Sequence, residues 1–416
     1  MKIKNEHKPG YKHTSLGWIP EEWVIKEFGS VVSASQYGLS AASVNGGKHK
    51  IIGMKNIQDG RLRMNDCATV TLIDEEYERY RLRKDDFLFN RTNSYDLVGK
   101  SVLVDEDIDA TFASYLVRFK LDKRQVEPKF LYYYFNTAES DKKLKAIATK
   151  AISQANINPT VLQNVFEILL PTLNEQRKIV KILSKWDEAI LKTQQLIAQL
   201  KQRKKGLTRQ LLVGMKRLNG FNKKWETDPI NNRLTHTPRE VRKPTSVFFA
   251  LGVRSHGKGI FHKNEFDPED LAIDILYQVK ENDLILNITF AWELAIAVAG
   301  KEDEGGLVSH RFPTYTFKQE AASVDFFRHL ILQKKFKYLL DLISPGGAGR
   351  NRVLNKKDFL KLEVTIPDLS EQRAIGKILN AATAELKLYE QKLVSLQEQK
   401  KGLMQKLLTG EIRVNI

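Results

Sequence analysis

The chain has a single cysteine, Cys67, in 416 residues, so an internal disulfide and a cysteine-based zinc site are both excluded. That scarcity fits a reducing compartment, and a cytoplasmic protein is expected. No run approaches the roughly 18 consecutive apolar residues that a membrane span needs. The polar stretch from Met1 to Tyr11 does not read as a secretory leader. The eight histidines show no paired ligand spacing, and no metal site is expected. No Pro-Pro dipeptide occurs anywhere. Methyl transfer to an adenine amine typically uses an Asn/Asp-Pro-Pro-aromatic tetrapeptide, and Asn158-Pro159-Thr160, Asp228-Pro229-Ile230 and Asp267-Pro268-Glu269 all stop short of one. Residues 252–258 copy the first seven positions of a phosphate-binding loop. Gly259 then stands where a magnesium-binding hydroxyl is required. Pro268-Glu269 followed by Gln278-Val279-Lys280 lacks the second acid of a metal-dependent nuclease. No catalytic site and no cofactor are expected in this chain.

What is abundant is positive charge. Lysine and arginine number 67 against 50 acidic residues, a net charge of +17. A surplus of that size favours a polyanionic partner, because neutralised phosphates release condensed counterions. Hydrophobic residues make up 42% of the chain, enough for more than one buried core.

The chain also repeats itself. Residues 171–214 and 367–410 align without a gap at a constant offset of 196 and agree at 18 of 44 positions. The shared residues include Glu175-Gln176-Arg177 with Glu371-Gln372-Arg373 and Lys204-Lys205-Gly206-Leu207 with Lys400-Lys401-Gly402-Leu403. Both copies read as long helices. A proline precedes each, with Asn174 or Ser370 expected at the N-cap and Gly214 or Gly410 as the stop. Gly206 and Gly402 are expected to weaken or bend them. Apolar residues at alternating three- and four-residue steps predict a heptad seam for pairing two helices. It runs through Ile179, Ile182, Trp186, Ala189, Thr193, Leu196 and Leu200, and in the second copy through Ile375, Ile378, Ala382, Leu386, Tyr389, Leu393 and Leu396. A helix of some 39 residues would be roughly 58 Å long.

Weaker matches link the remaining segments. Asp86-Phe87-Leu88-Phe89-Asn90 resembles Asp283-Leu284-Ile285-Leu286-Asn287, a short apolar strand, and residues 130–133 resemble residues 326–329, a helix. Gly220-Phe221 and Trp225 follow the first long helix, whereas Gly17-Trp18 and Trp23 open the chain. The start of the chain thus continues the repeat where its end breaks off. Antiparallel pairing of the helices would bring those ends together.

The GWIPEEW opening at residues 17–23 and a Pro-x-Leu-x-Glu-Gln-Arg helix start that occurs twice resemble specificity subunits of type I restriction–modification systems. The opening of the second unit is a weaker copy, since residues 214–220 lack an Ile-Pro before Trp225. The resemblance spans essentially the whole chain. It implies α/β (α+β) target-recognition domains in two copies, separated by two long antiparallel coiled-coil helices, a pseudo-two-fold internal repeat. The expected divisions are residues 1–172 and 216–366 for the recognition domains, with helices in 173–215 and 367–416. The resemblance also implies that each domain reads one half of a split asymmetric DNA site. The expected partners are double-stranded DNA, two methyltransferase subunits that bind the methyl donor S-adenosylmethionine, and restriction subunits. A related restriction system, or a structural coiled-coil DNA-binding protein without enzyme partners, are the alternatives.

Base reading requires bidentate donors and acceptors carried into a groove, with phosphate contacts setting the register. Loops after strands that mix Arg, Asn, Ser, Thr and Gly suit this. The candidates in the first unit are Gln36, Tyr37, Lys55, Asn56, Arg91, Thr92, Asn93, Ser94, Gln154 and Asn156. Those in the second are Arg254, Ser255, His256, Lys258, Trp292, Ser309, His310, Arg311, Arg350, Asn351 and Arg352. The Glu175-Gln176-Arg177 and Glu371-Gln372-Arg373 triplets are candidates for partner binding, with helix capping and first-turn pairing as the alternative.

Overall fold

Thr172 and Asp368 begin the two longest elements of the protein. The computed structural model describes residues 9–58, 60–347 and 352–414. Two helices of 40 residues each, Leu173–Leu212 and Leu369–Leu408, dominate its chain path. The caps lie two residues before the expected ones. The Thr172 hydroxyl accepts from the Glu175 amide at 3.3 Å, and the Asp368 carboxylate accepts from the Glu371 amide at 3.0 Å. Each oxygen thereby satisfies a donor that the first helical turn leaves unpaired. Both helices continue through Gly206 and Gly402. They end just before Gly214 and Gly410, whose φ values of 72° and 76° lie in the left-handed region that glycine enters without strain.

The chain forms two units, Met1–Thr193 with Lys392–Ile416, and Gln194–Gln391. Each takes half of both long helices. In the first unit a four-stranded antiparallel sheet runs in the order Ser101–Leu103, Phe87–Asn90, Leu116–Leu121, Val32–Tyr37. A second sheet places His49–Ile52 between Ala110–Phe112 and Ala68–Val70. The short helix Pro128–Phe135 packs six of its eight residues into a core built on Trp23, Phe28, Phe87, Phe119 and Phe135. Ring centroids of 4.9–5.1 Å join Phe28 to Phe119 and Phe135, and Phe135 to Phe87, the edge-on packing that aromatic quadrupoles favour.

The second unit repeats the four-stranded sheet as Ile296–Val298, Leu284–Leu286, Thr314–Phe317, Leu234–His236. Its other sheet has five strands, among them Phe248–Val253 and Ile260–Phe266. The helix Val324–Leu330 closes a core of Tyr315, Phe326, Phe327 and Phe359. At the strand starts, Asp86 and Asp283 are buried, each within hydrogen-bond reach of a turn amide and an arginine. Asp86 accepts from the Arg83 amide and Arg118, and Asp283 accepts from the Lys280 amide and Arg239.

The long helices pair antiparallel inside each unit, on a seam that differs from the expected one. On the first helix, Leu183, Ile190 and Ile197 are buried, whereas Ile182, Ala189 and Leu196 are only half-buried. The inward set is Ile179, Leu183, Trp186, Ile190, Thr193, Ile197, Leu200, Lys204, Leu207 and Leu211, which alternates steps of four and three without a break. On the second helix it is Ile375, Leu379, Ala382, Leu386, Tyr389, Leu393, Leu396, Lys400, Leu403 and Leu407, the same positions shifted by 196. Ile378 gives way to Leu379 there. In the first unit Lys400 binds Asp187 at 2.8 Å; in the second, Lys201 binds Glu390 at 2.8 Å.

Candidate nucleic-acid interface

In the first unit a small sheet gathers residues that are far apart in sequence. Thr92–Asn93 pairs with Ala155–Asn156, which pairs in turn with Thr149–Lys150. The Asn156 amide donates to the Thr92 hydroxyl at 3.2 Å, and the Ile157 amide donates to the Arg91 carbonyl at 2.8 Å. Arg91, Asn93, Ser94, Gln154 and Asn156 are thereby brought to one edge, and the Arg91 guanidinium lies 5.1 Å from the exposed ring of Tyr37. Gln36 is tied to Arg118 and to the Arg79 carbonyl. Lys55 is exposed and lines, with Asn93, Lys100 and Lys400, a cleft of about 740 Å³.

Two of these candidates turn inward. Asn56 is 2% exposed; its carbonyl oxygen accepts from the Gly53 amide and its amide donates to the Arg63 carbonyl, both at 3.0 Å. It holds a turn. Thr92 is buried beneath Asn156. Residues outside the expected set join the edge instead. Tyr95 follows Ser94 in the chain, with the Lys150 ammonium 3.7 Å from its ring centroid and Lys145 5.8 Å away. The Asp141 carboxylate beside Lys145 holds that ammonium above its ordinary range. Ile152 is fully exposed at the tip between the paired strands. The sequence cue for this element is the hairpin pattern of residues 149–156, two short strands around a four-residue loop.

The second unit places its candidates around Trp292. The indole donates to the Thr289 carbonyl at 3.2 Å, and the Arg352 guanidinium lies 4.8 Å from its ring centroid. Arg352 is also spent on Asp341, at 2.6 Å, and on the Ser344 carbonyl, so it buttresses the indole. Arg311 reaches the Thr289 hydroxyl at 3.3 Å, and the half-buried Ser309 accepts from the Arg311 amide. The Lys356 ammonium donates to the His310 carbonyl at 3.0 Å, and burial lowers its proton affinity. The loop of Arg254, Ser255, His256 and Lys258 docks beside this group. His256, with φ of 63°, donates its amide to the Glu293 carbonyl, and Gly257 donates to Leu294. Arg254, His256, Lys258, His310 and Arg311 are exposed. Arg350 and Asn351 lie outside the described residues.

The Glu-Gln-Arg triplets do different work from one residue to the next. Glu175 is fully buried, accepting from the Trp23 indole at 3.0 Å and from Arg413 at 2.6 and 3.0 Å. Glu371 meets the Trp225 indole at 3.2 Å and Arg217 at 2.7 Å on each oxygen. Hydrogen bonding to these carboxylates raises the proton affinity of both arginines. Gln176 accepts from the Glu127 amide and donates to the Pro171 carbonyl; Gln372 accepts from the Ser323 amide and donates to the Pro367 carbonyl. All four side chains join elements within their own unit and leave no surface for a partner. Arg177 and Arg373 are exposed.

Among the described residues no cluster of His, Cys, Asp and Glu could hold a metal ion, and no helix is long and apolar enough to cross a membrane. Residues 20–202 and 255–398 match the family described as the type I restriction modification DNA specificity domain. A Methanocaldococcus jannaschii protein assigned as the specificity subunit of the type I restriction enzyme MjaX is 27% identical, with 97% of each chain covered. The crystal structure of the type I restriction–modification S subunit from M. genitalium superposes with a TM-score of 0.58 over 93% of this chain and 96% of that one, at 15% identity. The HsdS subunit from Thermoanaerobacter tengcongensis gives 0.51 over 95% and 98%, also at 15%. At that identity the two structures establish the shared fold.

Proposed function

The chain belongs to the type I restriction–modification DNA specificity family, and from that premise we propose that its two units each read one half of a split, asymmetric DNA site. Membership makes the chain the specificity subunit, the non-catalytic member of its complex, and implies assembly with modification and restriction subunits on DNA. One observation carries the half-site reading. The two units share a frame, a strand that starts at a buried Asp and ends in a polar turn, but gather different side chains beside it: Arg91, Asn93, Ser94 and Asn156 in one, Trp292, His310 and Arg311 in the other. Equal frames with unequal donors and acceptors are what reading two different short sequences requires.

The methyl donor S-adenosylmethionine is then held by the methyltransferase subunits. Their docking surface is the outward face of the long helices with Arg177 and Arg373, since the seam face is occupied. Selecting bound duplexes from a random pool with the assembled complex tests the recognition reading. Two short unlike motifs separated by bases of no preference are expected. One contiguous motif, or a palindrome, is incompatible with two unlike readers.

A further inference from the structure

We infer that the hairpin of residues 149–156 is a β-ribbon that enters the major groove at the first half-site, where Ile152 reads a thymine methyl group. The inference rests on the half-site reading above. A two-stranded ribbon is one of the two protein elements that the B-DNA major groove admits. Here the ribbon is Thr149–Lys150 paired antiparallel with Ala155–Asn156, and the Ala151 amide closes its four-residue tip by donating to the Gln154 carbonyl at 2.7 Å.

The ribbon is braced, so its tip is carried by a fixed base. Its second strand is paired on the other edge with Thr92–Asn93, and the Ile157 amide anchors it to the Arg91 carbonyl. Lys150 sits over Tyr95, whose ring takes up the stem of the first strand. Cations and amides therefore line the flanks: Lys150 and Asn156 on the ribbon, Arg91 and Asn93 at its base, Gln154 at the tip. These are phosphate and base-edge groups.

Ile152 does not fit that polar set, and its exposure is complete. A tip built only for phosphates or for solubility would carry a polar residue there. In the major groove the one apolar group that a base pair presents is the thymine C5 methyl. An aliphatic tip between polar flanks is complementary to that feature. The second unit supplies an internal contrast. The Leu354 amide donates to the Ile288 carbonyl as that of Ile157 does to Arg91, and Asn158 and Asn355 both cap the helix that follows. That register sets Ile152 against Gly349 in the sequence, so the second unit has no aliphatic side chain at this position.

The test uses the full chain assembled with its methyltransferase subunits and the DNA motif it selects. Each thymine of the motif is replaced in turn by deoxyuridine, which lacks only the methyl group. One thymine in the half-site read by the first unit should lose affinity by about fourfold on replacement, the factor that burying one methyl group confers. Ile152→Ser should lose the same factor on the thymine duplex and become indifferent to the replacement. Ile152→Val should keep the preference, and every thymine of the other half-site should respond alike in all three proteins. A bipartite motif whose binding is indifferent to deoxyuridine throughout the first half-site, or that contains no thymine there, overturns this inference and leaves half-site recognition standing. So does an Ile152→Ser protein that retains the full thymine preference. Failure to select any bipartite motif defeats the recognition reading itself, and this inference with it.

Discussion

Arg413 grips Glu175 with two hydrogen bonds across 238 residues of chain, at 2.6 and 3.0 Å, and the carboxylate it grips is wholly buried. The Trp23 indole completes the same clamp from the other end of the sequence. Tyr11 adds a bond to the Gly410 carbonyl at 2.8 Å, spanning 399 residues. In the second unit the equivalent arginine and tryptophan, Arg217 and Trp225, lie only eight positions apart. One clamp thus draws its arginine and tryptophan from segments 390 residues apart, whereas in its copy both come from one short stretch that meets Glu371.

Removing either arginine leaves a buried carboxylate without its counter-charge, which costs far more than an exposed ion pair would. Arg413→Ala is expected to destabilise its own unit by about 3 kcal/mol, and Arg217→Ala to destabilise the other. Urea unfolding of the two variants measures this. A loss of a few tenths of a kcal/mol, as for a surface pair, would show that the clamp is slack.

The duplication is legible in the sequence because the clamp residues and six of the ten seam residues recur in both copies, and so is the frame of short strand and helix around Asp86 and Asp283. The seam on the first helix is harder to place. Ile182 adjoins Leu183, Ala189 adjoins Ile190, and Leu196 adjoins Ile197, so hydrophobicity alone cannot choose between neighbours. In the second copy Glu385 beside Leu386 and Lys392 beside Leu393 leave one choice. Carrying that register back by 196 residues selects Ile190 and Ile197. The inward turn of Asn56, Glu175 and Gln176 has no such signal, since polar residues that satisfy backbone groups resemble polar residues that face solvent. The meeting of Tyr37 with Arg91 depends on tertiary pairing that no local pattern encodes.

The corrected seam has a direct check. Leu183→Ala should cost about 2–5 kcal/mol, as for a fully buried leucine. Ile182→Ala should cost about 1 kcal/mol, in line with its half-exposed position. Equal losses in thermal or urea unfolding would return the seam to the apolar pair as a whole.

His329 introduces a pH dependence. Its ring bonds Asn380 at 2.8 Å, and its proton affinity is lowered by burial first, with the Asn380 bond opposing this, Lys204 and Arg328 adding to it, and Asp325 opposing it. A depressed folded-state pKa means that the unfolded chain takes up the proton first. This contribution to stability is therefore present above about pH 6.5, the unfolded value, and is lost as pH falls below it. Wild type should lose stability between pH 7 and pH 5 more steeply than His329→Gln. Parallel stability–pH curves for the two proteins would remove His329 as the cause.

Lys258 stands exposed on the loop that docks beside Trp292. If it meets a phosphate, Lys258→Ala weakens binding uniformly across sequences and reduces the slope of log affinity against log salt by about 1. The selected motif should be unchanged. A variant with an unchanged slope and a relaxed base preference in the second half-site would place Lys258 on a base.

Truncation after Gly220 tests the duplication itself. The fragment of residues 1–220 keeps the first globular part and the whole first long helix but loses residues 392–416. Within that unit Ile179 and Leu183 then lose their packing against Leu407, and Glu175 loses Arg413. Exposed apolar seams favour association. Leu207, Leu211 and Arg217 correspond to Leu403, Leu407 and Arg413 at the same offset of 196, so a second copy of the fragment carries these three missing groups. An isologous dimer is expected, in which each copy supplies the other's clamp. Its two recognition surfaces are identical, so the selected DNA should become a palindrome of the first half-site. A fragment ending at Gly214 keeps Leu207 and Leu211 but lacks Arg217, and it should dissociate at concentrations at least about tenfold higher, the factor for 1.4 kcal/mol. Sedimentation of both fragments and selection of bound duplexes measure these outcomes. A folded monomer of residues 1–220, or a dimer that still selects the asymmetric parental site, would show that the offset does not describe interchangeable parts.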